Sequence, residues 1–78
     1  MPRPITGHTP LARLRVAAGM SQHQLAEQLV TVSVPGIHRW ETGRTRPSVD
    51  ILPRLATTLG VSIEALVHAI VETPRRQE

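Results

Sequence analysis

Three arginines that lie close together in the sequence are the residues best suited to bind another molecule. Arg39, Arg44 and Arg46 fall within eight residues, and Glu41 is the only acid among them. A guanidinium group presents a planar fork of N–H donors that matches a pair of acceptor oxygens, so arginine suits the binding of anions. An ordinary solvated basic face would have the same composition, and the cluster alone leaves both interpretations open.

Other side chains that commonly carry chemistry are scattered, or have a structural explanation. No two histidines are separated by three or four residues, whereas a metal site needs three or four converging ligands. Four serines each precede a run with helical spacing, so helix capping explains them better than a nucleophilic role. The histidines are His8, His23, His38 and His68, and the serines are Ser21, Ser33, Ser48 and Ser62. The sequence therefore predicts no metal, no cofactor and no enzymatic activity.

Length and composition predict one small domain in the cytoplasm. The 78 residues allow a single domain, and without cysteine the chain has neither a disulfide nor a cysteine-based zinc site. No apolar run approaches the roughly 18 residues of a membrane span. The net charge of +3 is a weak indication of nucleic-acid binding. Apart from histidine every basic residue is arginine, and together with the many alanines this indicates a GC-rich bacterial genome.

Apolar residues at helical spacing, with capping and stop residues around them, predict five short helices and an all-α fold. The expected caps are Thr9, Ser21, Ser33, Ser48 and Ser62, and the expected stops are Gly19, Gly43 and Gly60. Pro53 predicts a tight or bent start for the fourth helix. We expect a flexible arm over residues 1–8, a folded domain over 9–72 and a disordered tail over 73–78.

The stretch from Ser21 to Trp40 contains the second and third helices and positions the first arginine of the cluster. Ser21 and Gln24 have the spacing of a capping box at the start of the second helix. The third helix is expected from about Val34 to Thr42, with Ile37 and Trp40 on its buried face. The residues expected to point outward from it are Val34, Pro35, His38 and Arg39.

Four pieces of the chain resemble one known family. The strings GMSQHQLAEQL, IHRWETG after Ser33, RTRPS and LATTLGVSIEAL are similar to the helix-turn-helix domain of phage Cro and CI repressors, the XRE-type regulators. The resemblance covers about residues 9 to 71. It implies a compact five-helix bundle of the lambda-repressor-like type, whose third helix enters the major groove of double-stranded DNA while the second crosses the backbone.

The resemblance also implies roles for individual residues. Arg15 and Glu41 match an arginine and a glutamate that form a structural ion pair in the family. The residues at groove-facing, base-reading positions are Val34, Pro35, His38 and Arg39. Those at phosphate-binding positions are Gln22, Thr42, Arg44 and Arg46.

Two departures from the family pattern affect the second and third helices. The step from Leu29 to Trp40 is eleven residues instead of the usual ten, and Val30 occupies the place where the family has a glycine. Either the second helix runs one residue longer or the turn bulges. At the start of the third helix, Val34, Pro35 and Gly36 stand where the family often has polar side chains. We therefore expect narrow direct readout of bases.

These inferences predict a sequence-specific DNA-binding transcription regulator, expected to act as a repressor or autoregulator. It is expected to form a homodimer through the fifth helix, where Val67, Ile70 and Val71 exceed what one small core needs. The alternative is a protein-interaction module on the same scaffold, such as an antitoxin whose partner is a toxin, with DNA binding secondary.

Overall fold

In the computed structural model, residues 9–74 can be described. Five α-helices form the fold: α1 (Pro10–Ala17), α2 (Gln22–Leu29), α3 (Val34–Glu41), α4 (Leu52–Leu59) and α5 (Ile63–Glu72). Residues 9–74 contain no strand, so the predicted all-α, five-helix class is confirmed. The predicted arm over residues 1–8, and residues 75–78 of the predicted tail, lie outside the described residues.

Four of the five predicted caps are formed. The side-chain oxygens of Thr9, Ser21, Ser33 and Ser62 each accept the backbone N–H of the residue three positions on, which satisfies one donor left unpaired at the start of a helix. The capping box is complete, because the Gln24 side chain also accepts the N–H of Ser21 at 2.8 Å. These local bonds determine where α1, α2, α3 and α5 begin.

The prediction that Ser48 caps the fourth helix is wrong. Ser48 makes no side-chain capping bond, and a 3-10 turn over Val49–Ile51 comes between it and α4. Pro53 has no N–H to donate to the carbonyl of Val49, which would be its partner in a continuous helix. That carbonyl instead accepts the N–H of Leu52 in a 3-10 bond. The tight start expected from Pro53 is therefore present.

The core is built from aliphatic side chains of all five helices. Its completely or almost completely buried members include Leu29 of α2, Ile37 of α3, Leu55 of α4 and Leu66 of α5. Leu11 joins them from α1, and Trp40 packs against the cluster while remaining partly exposed. Burying each such side chain contributes about 1.5–3 kcal/mol relative to leaving it in water. The core therefore holds α3 by the face opposite to His38 and Arg39, which are exposed.

The end of α5 is attached to the start of α1 through Thr73. This side chain is buried; its hydroxyl accepts the Leu11 N–H at 3.2 Å and donates to the Ala69 carbonyl at 2.9 Å. Thr73, the first residue after the predicted boundary, thus makes buried contacts with α1 and α5. Its contact is with a residue 62 positions away, which spacing along the chain does not reveal.

The fifth helix has a buried and an exposed side. Ile70 was expected on a dimer surface, but its side chain is only 8% exposed and lies in the core. Val67 and Val71 are exposed, and Ile63 is exposed one turn before Val67. The apolar excess predicted on this helix is therefore carried by Ile63, Val67 and Val71, at a spacing of four residues.

Among residues 9–74, no single helix is long and apolar enough to cross a membrane. The segments Val49–Leu59 and Ile63–Glu72 meet the requirements of length and composition only when taken together, and they are bent by 109° at the break between them.

Candidate nucleic-acid interface

The second and third helices are packed against each other and joined by four residues, 30–33. Leu29 at the end of α2 and Ile37 in the second turn of α3 are both completely buried. The connection must therefore turn the chain sharply over a short distance while the residues on either side of it stay in the core. Helix α2 does not run one residue longer, so the eleven-residue step is accommodated by the turn.

Val30 adopts a backbone conformation that is rare for a β-branched residue. Its φ is 71° and its ψ is −47°, and the N–H of Thr31 donates to the carbonyl of Leu29 at 2.7 Å. This is a γ-turn with positive φ at its central residue, a strained form. Val30 is the only non-glycine residue with positive φ among residues 9–74, and 76% of its surface is exposed. The exposed Val30 side chain contributes little packing of its own to offset this strain.

One face of α3 is presented to solvent and carries the predicted base-reading residues. Pro35, His38 and Arg39 are exposed, and Val34 is partly buried. Offsets of one, four and five residues from Val34 place all four side chains on adjoining parts of one helical face. The structure thus brings together Val34, Pro35, His38 and Arg39.

Few hydrogen-bond donors are available at the start of α3. Pro35 has no N–H, the N–H of Gly36 donates to the Ser33 hydroxyl at 3.3 Å, and that of Ile37 donates to the Ser33 carbonyl at 3.1 Å. The side chains of Val34 and Pro35 add neither donors nor acceptors. This end of the helix therefore offers an apolar surface, whereas polar side chains follow one turn later at His38 and Arg39.

Glu41 holds the opposite end of α3 in place. Its carboxylate accepts two bonds from the Arg15 guanidinium, from Nε at 2.6 Å and from Nη2 at 3.2 Å. The two residues are 3% and 5% exposed, and Arg15 also donates to the carbonyl of Met20 at 2.8 Å. The ion pair implied by the family resemblance is thus formed, buried and bidentate, and it connects α1 to the end of α3.

Two further bonds to Glu41 were not anticipated from the sequence. The Gln22 side chain donates through Nε2 to the carboxylate at 2.9 Å, and the Thr9 hydroxyl donates to the backbone carbonyl at 2.7 Å. Gln22 was predicted to bind a phosphate, and its amide nitrogen is instead seen on Glu41. An amide nitrogen carries two N–H groups, so this bond leaves the second one for another acceptor. Glu41 therefore joins the starts of α1 and α2 to the end of α3.

The loop after α3 contains the other predicted phosphate-binding residues. Gly43 has positive φ, and the N–H of Arg44 reaches back to the carbonyl of Arg39 at 2.9 Å, which ends the helix. Arg44 and Arg46 are exposed. The Thr42 hydroxyl donates to the His38 carbonyl at 2.8 Å. Since a hydroxyl has one proton, donation from Thr42 to a phosphate requires that this bond be replaced.

The surface around the end of α3 and the loop that follows it is basic, and the buried charges behind it balance each other. Arg39, Arg44 and Arg46 are exposed around the end of α3, whereas the charge of Glu41 is balanced by Arg15 inside the fold. Within residues 9–74, no three acidic or histidine side chains come close enough to hold a metal ion. Exposed guanidinium groups on a fixed helix and on the loop that follows it suit the recognition of an anionic polymer.

A pair of short helices joined by a tight turn, with the outer face of the second exposed and basic, defines a helix-turn-helix domain. The family described as Helix-turn-helix matches residues 11–66, and the chain belongs to this family, in its XRE branch. The family is a DNA-binding regulatory one.

One curated relative is the HTH-type transcriptional activator BcrR of Enterococcus faecalis. It is 37% identical over 57 residues, which cover 73% of this chain and 28% of the relative. The chain therefore corresponds to little more than a quarter of that protein's length. A comparison with solved structures gives no significant match.

Proposed function

We propose that this chain reads a specific operator by placing α3 in the major groove of double-stranded DNA. The observation that carries the proposal is the exposed face of α3, with His38 and Arg39 on a helix whose other side is fixed by the core and by buried Glu41. A rigid helix presents its side chains to base edges without losing order on binding. The DNA-binding family supports this function over that of a protein-interaction module.

Within this proposal, Arg39 makes the strongest base contact. Its guanidinium matches the O6 and N7 acceptors of guanine in a bidentate arrangement. His38, its exposed neighbour, adds a second polar contact. Val34 and Pro35 lie one turn earlier, toward the start of the helix, which is the end that enters the groove in helix-turn-helix proteins.

The phosphate contacts come from both sides of α3. Gln22 lies at the first position of α2, where unpaired backbone N–H groups and the helix dipole favour an anion. Glu41 takes one N–H of its amide and thereby orients the other toward a phosphate. Arg44 and Arg46 supply positive charge from the loop that follows α3. Thr42 contributes through its hydroxyl only after its bond to His38 is exchanged.

The full binding unit in this proposal is a homodimer. Ile63, Val67 and Val71 form an exposed apolar stripe on α5, and covering it with a second copy removes it from water. A dimer of this class places its two recognition helices about 34 Å apart, one turn of the duplex. Sedimentation should show a dimer, and Val67→Asp should convert it to a monomer. Val49→Asp makes the same exchange at a more exposed valine on the 3-10 turn, away from α5, and serves as the control.

Selection from random duplexes, followed by mobility shift on the selected sequence and on the promoter of the chain's own operon, tests the proposal. We expect a shift whose midpoint rises steeply with salt, because binding releases counterions from the phosphates. Absence of any shift at low salt with folded protein would contradict it. The sequence favours a repressor or autoregulator, while the relative is named an activator. A reporter gene fused to the bound promoter measures whether the protein represses or activates transcription.

A protein that acts on DNA in this way works where the DNA is. For a bacterial host, which the arginine-rich and alanine-rich composition indicates, that compartment is the cytoplasm. The proposal requires neither a cofactor nor an enzymatic step. Fractionation of the host cell should recover the protein with the nucleoid at low salt and release it at high salt.

A further inference from the structure

The start of α3 carries a surface for which the proposed function names no contacting group on the DNA. We define the apolar tip as Val34 and Pro35, the first two residues of this helix. Pro35 is exposed and Val34 is partly exposed, yet neither belongs to the core cluster. Both lie on the same face as His38 and Arg39, one helical turn nearer to the helix start. In the proposed binding mode the tip faces the bases and cannot form a hydrogen bond through its side chains.

Gly36 belongs to the supporting turn rather than to the tip. A Cβ atom added at this position would lie 3.3 Å from Cγ1 of Val32 and 3.5 Å from the Ser33 hydroxyl. The missing side chain thus lets the connection between α2 and α3 pack closely against the start of α3. The surface available for base contact consists of the side chains of Val34 and Pro35.

An apolar side chain in the major groove has one partner among the base edges. Only thymine presents a methyl group there, at C5, whereas the other edges present donors or acceptors. The ring of Pro35 is fixed and loses no rotamer freedom on contact, and Val34 is stiff at χ1. The tip is therefore a rigid apolar surface whose size and chemistry match a methyl group.

We propose that the apolar tip reads the C5-methyl group of a pyrimidine and nothing else of that base. This inference rests on the proposed function. Since the tip forms no hydrogen bonds, it does not distinguish thymine from 5-methylcytosine, which carries the same methyl group above a different donor and acceptor pattern. Four residues of helix rise span about 6 Å, so the methyl group lies about two base pairs from the base read by Arg39. Operator recognition then combines the polar contacts of Arg39 and His38 with one methyl contact in each half-site.

The decisive test alters single atoms of the DNA and leaves the protein unchanged. In the selected operator, each thymine is replaced in turn by deoxyuridine, which removes only the methyl group, and the Kd is measured by fluorescence anisotropy. One position in each half-site should weaken binding about fourfold, the value of one buried methyl group. At that position a 5-methylcytosine–guanine pair should restore the affinity to within about twofold, whereas an unmethylated cytosine–guanine pair should not.

A protein variant then assigns the effect to the tip. Val34→Thr exchanges one methyl group for a hydroxyl at nearly constant shape, and the double variant with Pro35→Ala removes the ring. The ratio of Kd values for uracil and thymine should fall toward one in these variants. Val49→Thr, the same exchange at an exposed valine of the 3-10 turn, should leave the ratio unchanged.

The outcomes separate the two proposals. Specific DNA binding without a position sensitive to deoxyuridine overturns the methyl-reading inference and leaves the proposed function intact. The same holds if the sensitivity persists in the double variant, because the methyl group would then act through DNA shape. Failure to bind any duplex, with the protein folded, overturns the proposed function itself. Loss of binding to a protein partner in the Val34 variant, with DNA affinity unchanged, assigns the tip to that partner and overturns the inference.

Discussion

The two ends of α3 are held in opposite ways. At its C-terminal end, Glu41 takes part in four hydrogen bonds, two from Arg15 and one each from Gln22 and Thr9. At its N-terminal end, the helix is preceded by a γ-turn at Val30 with positive φ, and its capping bond comes from Ser33. One end is buried, charged and connected to two other helices, whereas the other is exposed, apolar and strained.

This contrast separates orientation from recognition. The network around Glu41 fixes the direction of α3 relative to α1 and α2, because a bidentate ion pair admits little rotation. The start of α3 is left with few internal bonds, so its surface is available to a partner. The strain at Val30 is not needed for either role, since a glycine would adopt the same backbone without it. The buried contacts at the C-terminal end therefore fix the orientation of α3, while its exposed face from Val34 to Arg39 is left for recognition.

The largest expected effect is at the anchored end. Glu41→Ala leaves Arg15 buried without its partner, which should lower the free energy of unfolding by about 3–5 kcal/mol. For a domain of this size, such a loss is comparable with its whole stability. Urea denaturation followed by circular dichroism measures it.

The double variant Arg15→Met with Glu41→Leu is the control for that measurement. It removes both charges and replaces them with apolar groups, so its loss should be much smaller than that of Glu41→Ala. If both variants lose equal stability, the ion pair is not what makes the single substitution costly.

The next effect is on DNA binding, and it is expected to leave the stability of the domain almost unchanged. Arg39→Ala should weaken specific DNA binding by about 1–3 kcal/mol, because the proposed bidentate contact to guanine is lost. Its stability should change by less than about 0.5 kcal/mol, as the side chain is exposed. Arg13→Ala removes the same charge from an exposed site on α1, outside the helix pair, and should retain sequence preference. Equal losses in the two variants would argue for a purely electrostatic role of Arg39.

A loss of stability of similar size tests whether α1, which carries Arg15, is itself held by α5. Thr73→Val keeps the shape of the side chain but leaves the N–H of Leu11 without its acceptor. The expected loss of stability is about 1–3 kcal/mol, since that donor is buried. Thr57→Val, at an exposed site on α4, should cost little. A Thr73 variant as stable as the parent would mean that α1 and α5 hold together through apolar contacts alone.

The smallest expected effect is a gain in stability, and it comes from substituting Val30, which precedes the N-terminal end of α3. Val30→Gly should stabilise the domain by about 1 kcal/mol, the strain released minus the greater freedom of glycine in the unfolded chain. This corresponds to a rise in Tm of about 4–8 °C. Val49→Gly changes a valine of similar exposure without positive φ and should not stabilise. If both substitutions lower the Tm, the turn at Val30 carries no strain.

Much of the fold was predictable because its signals are local. Thr9, Ser21, Ser33 and Ser62 each cap a helix through a bond to the third residue along the chain. Gly19, Gly43 and Gly60 have positive φ, as expected for helix stops. Ser48 failed as a cap because Pro53, five residues later, alters the first turn. Even here the proline itself gave the correct indication of a tight start.

The site was predictable only in part. Periodicity placed His38 and Arg39 outside and Ile37 inside, and the family resemblance gave the pair of Arg15 with Glu41. The bond from Gln22 to Glu41 and the bond from Thr9 to the Glu41 carbonyl were not foreseen. They join residues 19 and 32 positions apart, and no spacing rule relates such positions. Ile70 was assigned to a surface because its type alone does not reveal which side of α5 the other helices cover.

By itself, the sequence determined where the helices begin and end, which face of α3 is apolar, and that the connection after Leu29 is unusual. Caps, glycine stops and periodicity act over three or four residues, so they depend little on how the rest of the chain folds; the exception is Ser48, where nearby Pro53 changes the first turn. Only the tertiary structure decided how that connection is made. Leu29 and Ile37 are both fully buried, so the four residues between α2 and α3 must turn sharply, and Val30 takes the positive φ that glycine would otherwise supply. Packing across the core imposes this conformation, because the stability of the buried helices outweighs the strain at one exposed residue.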